Sequence, residues 1–281
     1  MRVKIWGCRG SLPTPGAETV EYGGNTSCVE VSLDDGATLV LDAGSGLRRL
    51  GVELAERGAR RIDLLLTHLH LDHVEGLRFF APLFDERVTL DIWGPRSPVS
   101  TLQARIARAF SPPLFPIDLR RVPARVRFHD VPRQPWLLEG ASVSAALVAH
   151  PGPTLGFRIE TAASSLAYIP DHEPALVGRI ASSPRDWISG CSLAEGSGLL
   201  LHDAQYFEDE YSDRVGWGHS SVADAVAFAR AAGAERLVLF HHDPSHADDV
   251  LERLQAQART LAADDGEPPL LAHEGVVLDV Q

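Results

Sequence analysis

Short apolar runs, each closed by turn-forming residues, set the rhythm of this chain. Residues 3–6, 28–33 and 38–41 are β-branched or apolar segments separated by Gly, Pro, Asn and Asp, the pattern of strands with at least one buried face. Residues 47–57 switch to helical spacing and stop at Gly58. A mainly apolar stretch at 62–66, interrupted only by Asp63, predicts a buried strand, 75–84 a helix, and 88–93 a further strand. In the second half, 143–148, 156–160, 166–169, 199–202 and 237–240 predict strands, and 221–232 and 248–262 predict helices. Strands alternate with helices in both halves, without the internal repeat of a solenoid. A layered α/β fold is expected, not a helical bundle or an all-β barrel.

The strand at 62–66 runs directly into Thr67-His68-Leu69-His70-Leu71-Asp72-His73, which packs three imidazoles and one carboxylate into six residues. Those are the donors that a borderline divalent cation such as zinc requires. His68 and His70 are two apart, so on an extended segment they point the same way. Asp72 and His73 follow in a turn and can face a second position. One loop can therefore supply half the ligands of two adjacent ions. A surface histidine tract would not end an apolar strand, carry leucine on both sides and run into Gly76.

Composition narrows the partners. The chain has 281 residues, 44% of them apolar, enough for a sizeable core. Asp and Glu number 38 against 26 Lys and Arg, for a net charge of −12. A chain this acidic is not built to hold a long nucleic acid by general electrostatics. Small anionic substrates stay open, because bound metal is itself a strong local positive charge. Cys8, Cys28 and Cys191 are scattered and form no C-x-x-C pair, which fits reduced thiols and a cytoplasmic location. The N-terminal residues do not read as a signal peptide, and no apolar run is long enough for a membrane span. Residues 96–133 depart from the average, with eight Arg, two acids (Asp118 and Asp130) and a Pro-rich centre at 111–116. This Arg/Pro-rich insertion reads either as a solvated surface or as a wall that recognises phosphate or covers the site, with Arg120 and Arg121 as the residues to test.

Further ligand candidates share one context: an apolar strand, then a ligand type, then turn residues. His150 follows 143–149 and precedes Pro151-Gly152, Asp171 follows 166–170, and His241 follows 237–240. Active sites of α/β proteins commonly collect at strand ends. Taken singly, a histidine after a strand is more often a satisfied polar residue.

With its order H-x-H-x-D-H, then His, then Asp, then His, the chain resembles the metallo-β-lactamase superfamily. The resemblance covers nearly the whole chain and implies one domain over 1–281. Its fold would be an αββα sandwich, two facing β-sheets with helices outside and metals at one edge. It implies His68, His70 and His150 on a first ion, Asp72, His73 and His241 on a second, and Asp171 bridging both. His242 and His246 lie close enough to compete with His241. The implied cofactors are two divalent ions, Zn²⁺ foremost and Mn²⁺ as the alternative.

More local matches resemble the branch that holds tRNase Z and related phosphodiesterases: Gly10-Ser11-Leu12-Pro13, Gly24-Asn25-Thr26-Ser27, Asp42-Ala43-Gly44-Ser45-Gly46, and Gly216-Trp217-Gly218-His219-Ser220-Ser221 preceded by His202-Asp203-Ala204-Gln205-Tyr206. In that branch a histidine contacts the scissile phosphate and an acid orients it, which here points to His219 and Asp203. A histidine at a helix N-terminus suits an anion, and a carboxylate on its other nitrogen fixes the tautomer. The plainer alternative is that His219 and Ser220 only cap the helix. Asp42 reads as a partner to a ligand histidine, or as a turn residue.

The expected reaction is attack on phosphorus by a hydroxide held between two ions, with Asp72 accepting a proton and His219 donating one. The tRNA-processing enzymes of the branch carry a flexible arm between the third histidine motif and the bridging Asp, whereas only twenty residues separate His150 from Asp171 here. A small phosphodiester is expected, with a cyclic nucleotide as the best guess, and by resemblance a homodimer. The alternatives are a tRNase Z-like ribonuclease, a thioester or lactone hydrolase on the same fold, and a non-catalytic ligand-binding member.

Overall fold

The computed structural model describes residues 1–33, 36–177, 180–263 and 266–280. The first-half strands are β1 (Arg2–Gly7), β2 (Cys28–Ser32), β3 (Thr38–Leu41), β4 (Arg61–Leu65), β5 (Thr89–Gly94) and β6 (Arg125–Asp130). The second half supplies β7 (Trp136–Leu138), β8 (Ala141–Leu147), β9 (Leu155–Glu160), β10 (Ser165–Ile169), β11 (Leu199–Asp203), β12 (Leu237–Phe240), β13 (Leu270–Leu271) and β14 (Val277–Asp279). They form two seven-stranded sheets, ordered β14-β1-β2-β3-β4-β5-β6 and β13-β12-β11-β10-β9-β8-β7.

Each sheet is half antiparallel and half parallel. In the first, β3, β4, β5 and β6 run parallel; in the second, β10, β11, β12 and β13 do. The crossovers of the parallel halves carry helices, which cover the outer faces. They are α1 (Leu47–Glu56), α2 (Leu102–Ala107), α3 (Cys191–Ala194), α4 (Glu208–Tyr211), α5 (Val222–Ala232) and α6 (Asp248–Leu261).

Three apolar layers follow. Val3, Ile5, Val29, Leu41, Phe157, Tyr168, Leu201 and Phe240 pack between the sheets. Leu47, Leu50 and Leu54 of α1 pack with Ile62, Leu64 and Phe80 outside the first sheet. Ala225, Phe228 and Ala229 of α5 join Leu251 and Leu254 of α6 outside the second. Helix, sheet, sheet, helix is the αββα sandwich expected from the sequence, and burial of both sheet faces explains the apolar run at 237–240 and the one at 62–66, where the single acid, Asp63, accepts from Trp93 Nε1 at 2.9 Å.

Two expectations differ from what forms. Residues 75–84 are not one α-helix but two 3₁₀ segments, Glu75–Phe79 and Ala81–Phe84, split at Phe80 in an extended conformation. Pro82 has no N–H to donate to the Arg78 carbonyl, so it cannot carry an α-helix across Phe80, and it sits instead in the first turn of the second segment, where proline is tolerated. Residues 96–133 are also not wholly an insertion. They include α2, and their last third is β6, the edge strand of the first sheet paired parallel to β5. Arg125-Val126-Arg127-Phe128 alternate polar and apolar, the period of a strand with one exposed face.

Candidate metal centre and its histidine–aspartate pair

The parallel strands deliver the site. Asp42 follows β3, Thr67 and His68 follow β4, Asp171 follows β10, Asp203 ends β11, and His241 follows β12. β8 runs in the same direction as β10, because both are antiparallel to β9, so His150 arrives at the same edge. The sequence-expected ligands from distant segments thus meet at the carboxyl ends of two facing sheets.

Three of the four described non-glycine residues with positive φ lie here: Ser11 (60°), Asp42 (58°) and His241 (62°). Left-handed backbone at a bulky residue is disfavoured and persists where surroundings over-determine it. At His241 it turns the chain sharply, so that adjacent histidines diverge. His241 enters the cluster, while His242 points away and its Nε2 lies 2.8 Å from the Ala272 carbonyl.

The cluster has two halves. His68, His70 and His150 bring one ring nitrogen each within 4.8 Å of one another, with His150 Nε2 3.2 Å from His70 Nδ1. Asp72, His73 and His241 do the same: Asp72 Oδ2 lies 3.4 Å from His73 Nε2 and 3.3 Å from His241 Nε2. Asp171 stands between the halves. Its Oδ1 is 3.0 Å from His73 Nε2, and its Oδ2 is 3.3 Å from His241 Nε2 and 3.8 Å from both His68 Nε2 and His150 Nε2.

Outer partners turn the free nitrogens inward. His73 Nδ1 donates to Asp42 Oδ2 at 2.8 Å, and His150 Nδ1 to the Gly218 carbonyl at 2.8 Å. Thr67 Oγ1 donates to Asp42 and accepts from His68 Nδ1 at 3.0 Å. Asp42 also accepts from Thr67 N at 2.8 Å and Tyr168 Oη at 3.0 Å. These contacts leave the inward nitrogens of His68, His73 and His150 with a lone pair. His73 Nε2 and His241 Nε2 are 3.4 Å apart, and His68 Nε2 and Asp171 Oδ1 are buried without a hydrogen-bond partner. Lone pairs of imidazoles and carboxylates converging in a buried space repel one another unless a cation sits among them. The donor set therefore fits divalent metal, and its nitrogen and oxygen composition fits zinc or manganese.

Electrostatics agree for the carboxylates and for His68, His70 and His150, while at His73 the charges of Asp171, Asp72 and Asp42 outweigh burial and raise the imidazole well above the ordinary range. Burial opposes ionisation of Asp171, but the imidazoles of His241, His73 and His68 outweigh it and hold its carboxyl well below the ordinary range. Asp72 behaves alike, burial being outweighed by His73 and His241. Burial pushes His68, His70 and His150 down, toward the neutral ligand form.

Beside this cluster stands His219. Its Nδ1 is 2.6 Å from Asp203 Oδ2, and its ring stacks on His241 with centroids 4.9 Å apart. Asp203, fully buried, also accepts from the backbone N–H groups of His172, Gln205 and Ser220, each at 3.1 Å. Burial disfavours charge on His219, but Asp203 outweighs it and raises the imidazole to about 9. The capping alternative falls on other atoms. Ser221 caps α5, accepting from Asp224 N at 3.1 Å, while Ser220 Oγ donates to the His172 carbonyl at 2.6 Å.

Some contributors had no role legible in the sequence, although Gly10 and Ser11 fall inside one of the branch motifs. Ser11 N donates to Asp72 Oδ2 at 2.8 Å. A Cβ at Gly10 would lie 2.4 Å from His241 Nδ1, so only glycine lets this loop pass. Tyr168 reads as core until Asp42 is seen beneath its hydroxyl. Of the eight Arg in 96–133, Arg105 lines a cavity of about 320 Å³ beside His68 and His70, with Pro95, Ser97, Pro151, Pro153 and Thr154. Arg120 is instead paired with Asp118 at the surface. Among the described residues no helix is long and apolar enough to cross a membrane.

The model of the β-lactamase superfamily domain matches residues 37–242, and the chain belongs to that superfamily, with the metallo-β-lactamase fold. It is 31% identical to a ribonuclease Z of Mycobacterium sp. (strain KMS) over 246 residues, covering 80% of this chain and 81% of the relative. Among solved structures, a diphosphatase of the PhnP family superposes with a TM-score of 0.71 at 19% identity, over 100% of this chain and 98% of that one. The short form of human tRNase Z superposes with a TM-score of 0.69 at 21% identity, over 100% of both chains. At those identities the structural likenesses speak for the fold alone.

Proposed function

We propose that this protein is a metal-dependent phosphodiesterase acting on a small phosphodiester, with a cyclic nucleotide the first substrate to test. The observation that carries the proposal is the His219–Asp203 pair beside the imidazole–carboxylate cluster. A hydrolase of thioesters or lactones needs the cluster but no cationic imidazole aimed at a phosphate.

In this reading His68, His70 and His150 hold one ion, Asp72, His73 and His241 hold the other, and Asp171 serves both. Zn²⁺ is the first choice and Mn²⁺ the second. The bound ions would supply Lewis acidity and acidify water toward a pKa of ~7. The residues do the rest. His219, held protonated by Asp203, donates to a phosphate oxygen and then to the leaving oxygen as general acid. Ser11 N and the two imidazoles around Asp72 favour its anion and make it a poor base. Its proposed part is thus to accept a hydrogen bond from the attacking water and orient it, more than to carry the proton away.

The scale of the substrate rests on two features. Strands β9 and β10 use most of the chain between His150 and Asp171, leaving no room for a substrate-gripping arm. The cavity of about 320 Å³ beside His68 and His70 is of small-ligand size, and Arg105 offers it a positive wall on an acidic protein. A second reading, RNA 3′-end processing, is favoured by the ribonuclease Z similarity. A homodimer is expected by resemblance only.

The test is turnover by protein reconstituted with Zn²⁺ or Mn²⁺, comparing bis(p-nitrophenyl) phosphate and 2′,3′- and 3′,5′-cyclic nucleotides with a thioester and a tRNA precursor. Preferred cleavage of the small diesters is expected. Preference for the precursor would move the protein to the second reading, and thioester cleavage alone would end both.

A further inference from the structure

We propose that Glu173 is a positioning residue that locks the loop before His219 onto His150; the inference rests on the hydrolytic reading of the site. Glu173 is 1% exposed and lies two residues beyond Asp171. Its own N–H donates to the Ala149 carbonyl at 2.8 Å, which seats it beside His150. Its carboxylate accepts three neutral donors, one from the end of α4 and two from the loop that follows it. Oε1 takes Gly216 N at 2.7 Å and Tyr211 Oη at 2.9 Å, and Oε2 takes Gly218 N at 2.7 Å.

The loop is shaped for this. Gly216 and Gly218 have φ of 88° and 93°, left-handed values that L-residues avoid, and both turn their N–H groups toward the same buried anion. The Gly218 carbonyl then accepts from His150 Nδ1–H at 2.8 Å. A Cβ at position 218 would lie 2.5 Å from that Nδ1 and 2.2 Å from Pro151, so the approach requires glycine. Glu173 and His150 thus bind the two peptide groups on either side of the Gly218 Cα, so the carboxylate fixes the stretch of backbone that orients the imidazole. The result is one His150 tautomer with Nε2 free. The next residue in the chain is His219.

A turn at the surface does not need this. Nothing lies within 4 Å of a Cβ placed on Gly216, so water could satisfy its N–H. Burying a carboxylate is costly unless several donors meet it, and here two of the three donors come from the loop that sets both His150 and His219.

Glu173→Gln keeps the shape but turns one acceptor into a donor facing a glycine N–H. In metal-loaded protein, kcat should fall about 10–100-fold with KM little changed, and one ion should be lost to a chelator about 10–100-fold more readily. A structural role alone would lower the melting temperature yet leave kcat and metal retention per folded molecule at wild-type values, and that result overturns the proposal. Amide hydrogen exchange of the wild-type protein is a second check, independent of how the variant folds. Slow exchange at Gly216 and Gly218 is expected, and exchange as fast as in an open loop overturns the proposal. Wild-type protein that holds metal but cleaves no phosphodiester would sink the hydrolytic reading, a different outcome from an active wild type matched by the Glu173→Gln variant.

Discussion

Asp42 Oδ2 lies 2.8 Å from His73 Nδ1, and both residues are fully buried. The same carboxylate collects Thr67 and Tyr168, so it ties β3, β4 and β10 to one imidazole. Asp42 also sits at φ 58°, a conformation that Asn tolerates as well as Asp does. Asp42→Asn therefore removes charge without forcing the backbone. Metal affinity should fall about 10–100-fold, read by competition with a chromophoric chelator. Wild-type affinity in the variant would remove Asp42 from the account.

His219 is held at about 9 because Asp203 outweighs the effect of burial. The acid form is therefore complete at neutral pH and is lost as pH rises through about 9. Activity should show an alkaline limb there. His219→Ala should keep its metal and lose roughly 10²–10⁴ in kcat. Asp203→Asn removes the charge that raises the imidazole while burial remains, so the limb should move to or below ~6.5. A pH–rate profile unchanged by Asp203→Asn would sink the assignment.

Acid should unfold the protein through its buried neutral histidines. Burial lowers His202 to about 4 and His242 to about 3. Their unfolded value is ~6.5. Below that pH the unfolded chain binds protons that the folded one refuses, so stability declines as pH falls from ~6.5 toward these values. The slope is roughly 1.4 kcal/mol per pH unit for each group. Denaturant midpoints measured in chelator between pH 7 and pH 4 test this. His202→Gln should flatten the decline, and an unaltered slope would contradict it.

Arg105 and Arg120 separate wall from surface. Arg105 lines the cavity beside His68 and His70, whereas Arg120 is satisfied by Asp118 in the open. Arg105→Gln should raise KM for a cyclic nucleotide roughly tenfold, equal to about 1.4 kcal/mol. Arg120→Gln should leave it alone. Equal KM values in both variants would return the whole segment to mere surface.

Much of this molecule was legible in its sequence, for identifiable reasons. The strands at 62–66, 166–169 and 237–240 are buried on both faces, so they stand out as apolar runs, and their ligand residues come next in the chain. His241 could not be separated from His242 without the positive φ that splits them. The segment 75–84 carried helical spacing, but Pro82 broke it. Strand β6 is legible as the alternation Arg125-Val126-Arg127-Phe128, but it sits inside a segment whose Arg and Pro content reads as surface. Glu173 and Tyr168 were invisible as site residues because their partners, the Gly216–Gly218 backbone and Asp42, are distant in sequence. Hydrogen bonds to backbone leave no residue-type signal at the far end.

In the proposed reading one buried carboxylate, Asp171, joins two metal-binding halves into a single hydrolytic centre. Metal content per chain of purified wild-type and Asp171→Ala protein, measured by elemental analysis with circular dichroism as a check on folding, tests it most directly. About two ions per wild-type chain are expected, and a folded Asp171→Ala protein should lose metal and phosphodiester cleavage together. A folded variant that keeps its full metal and full activity would contradict the account.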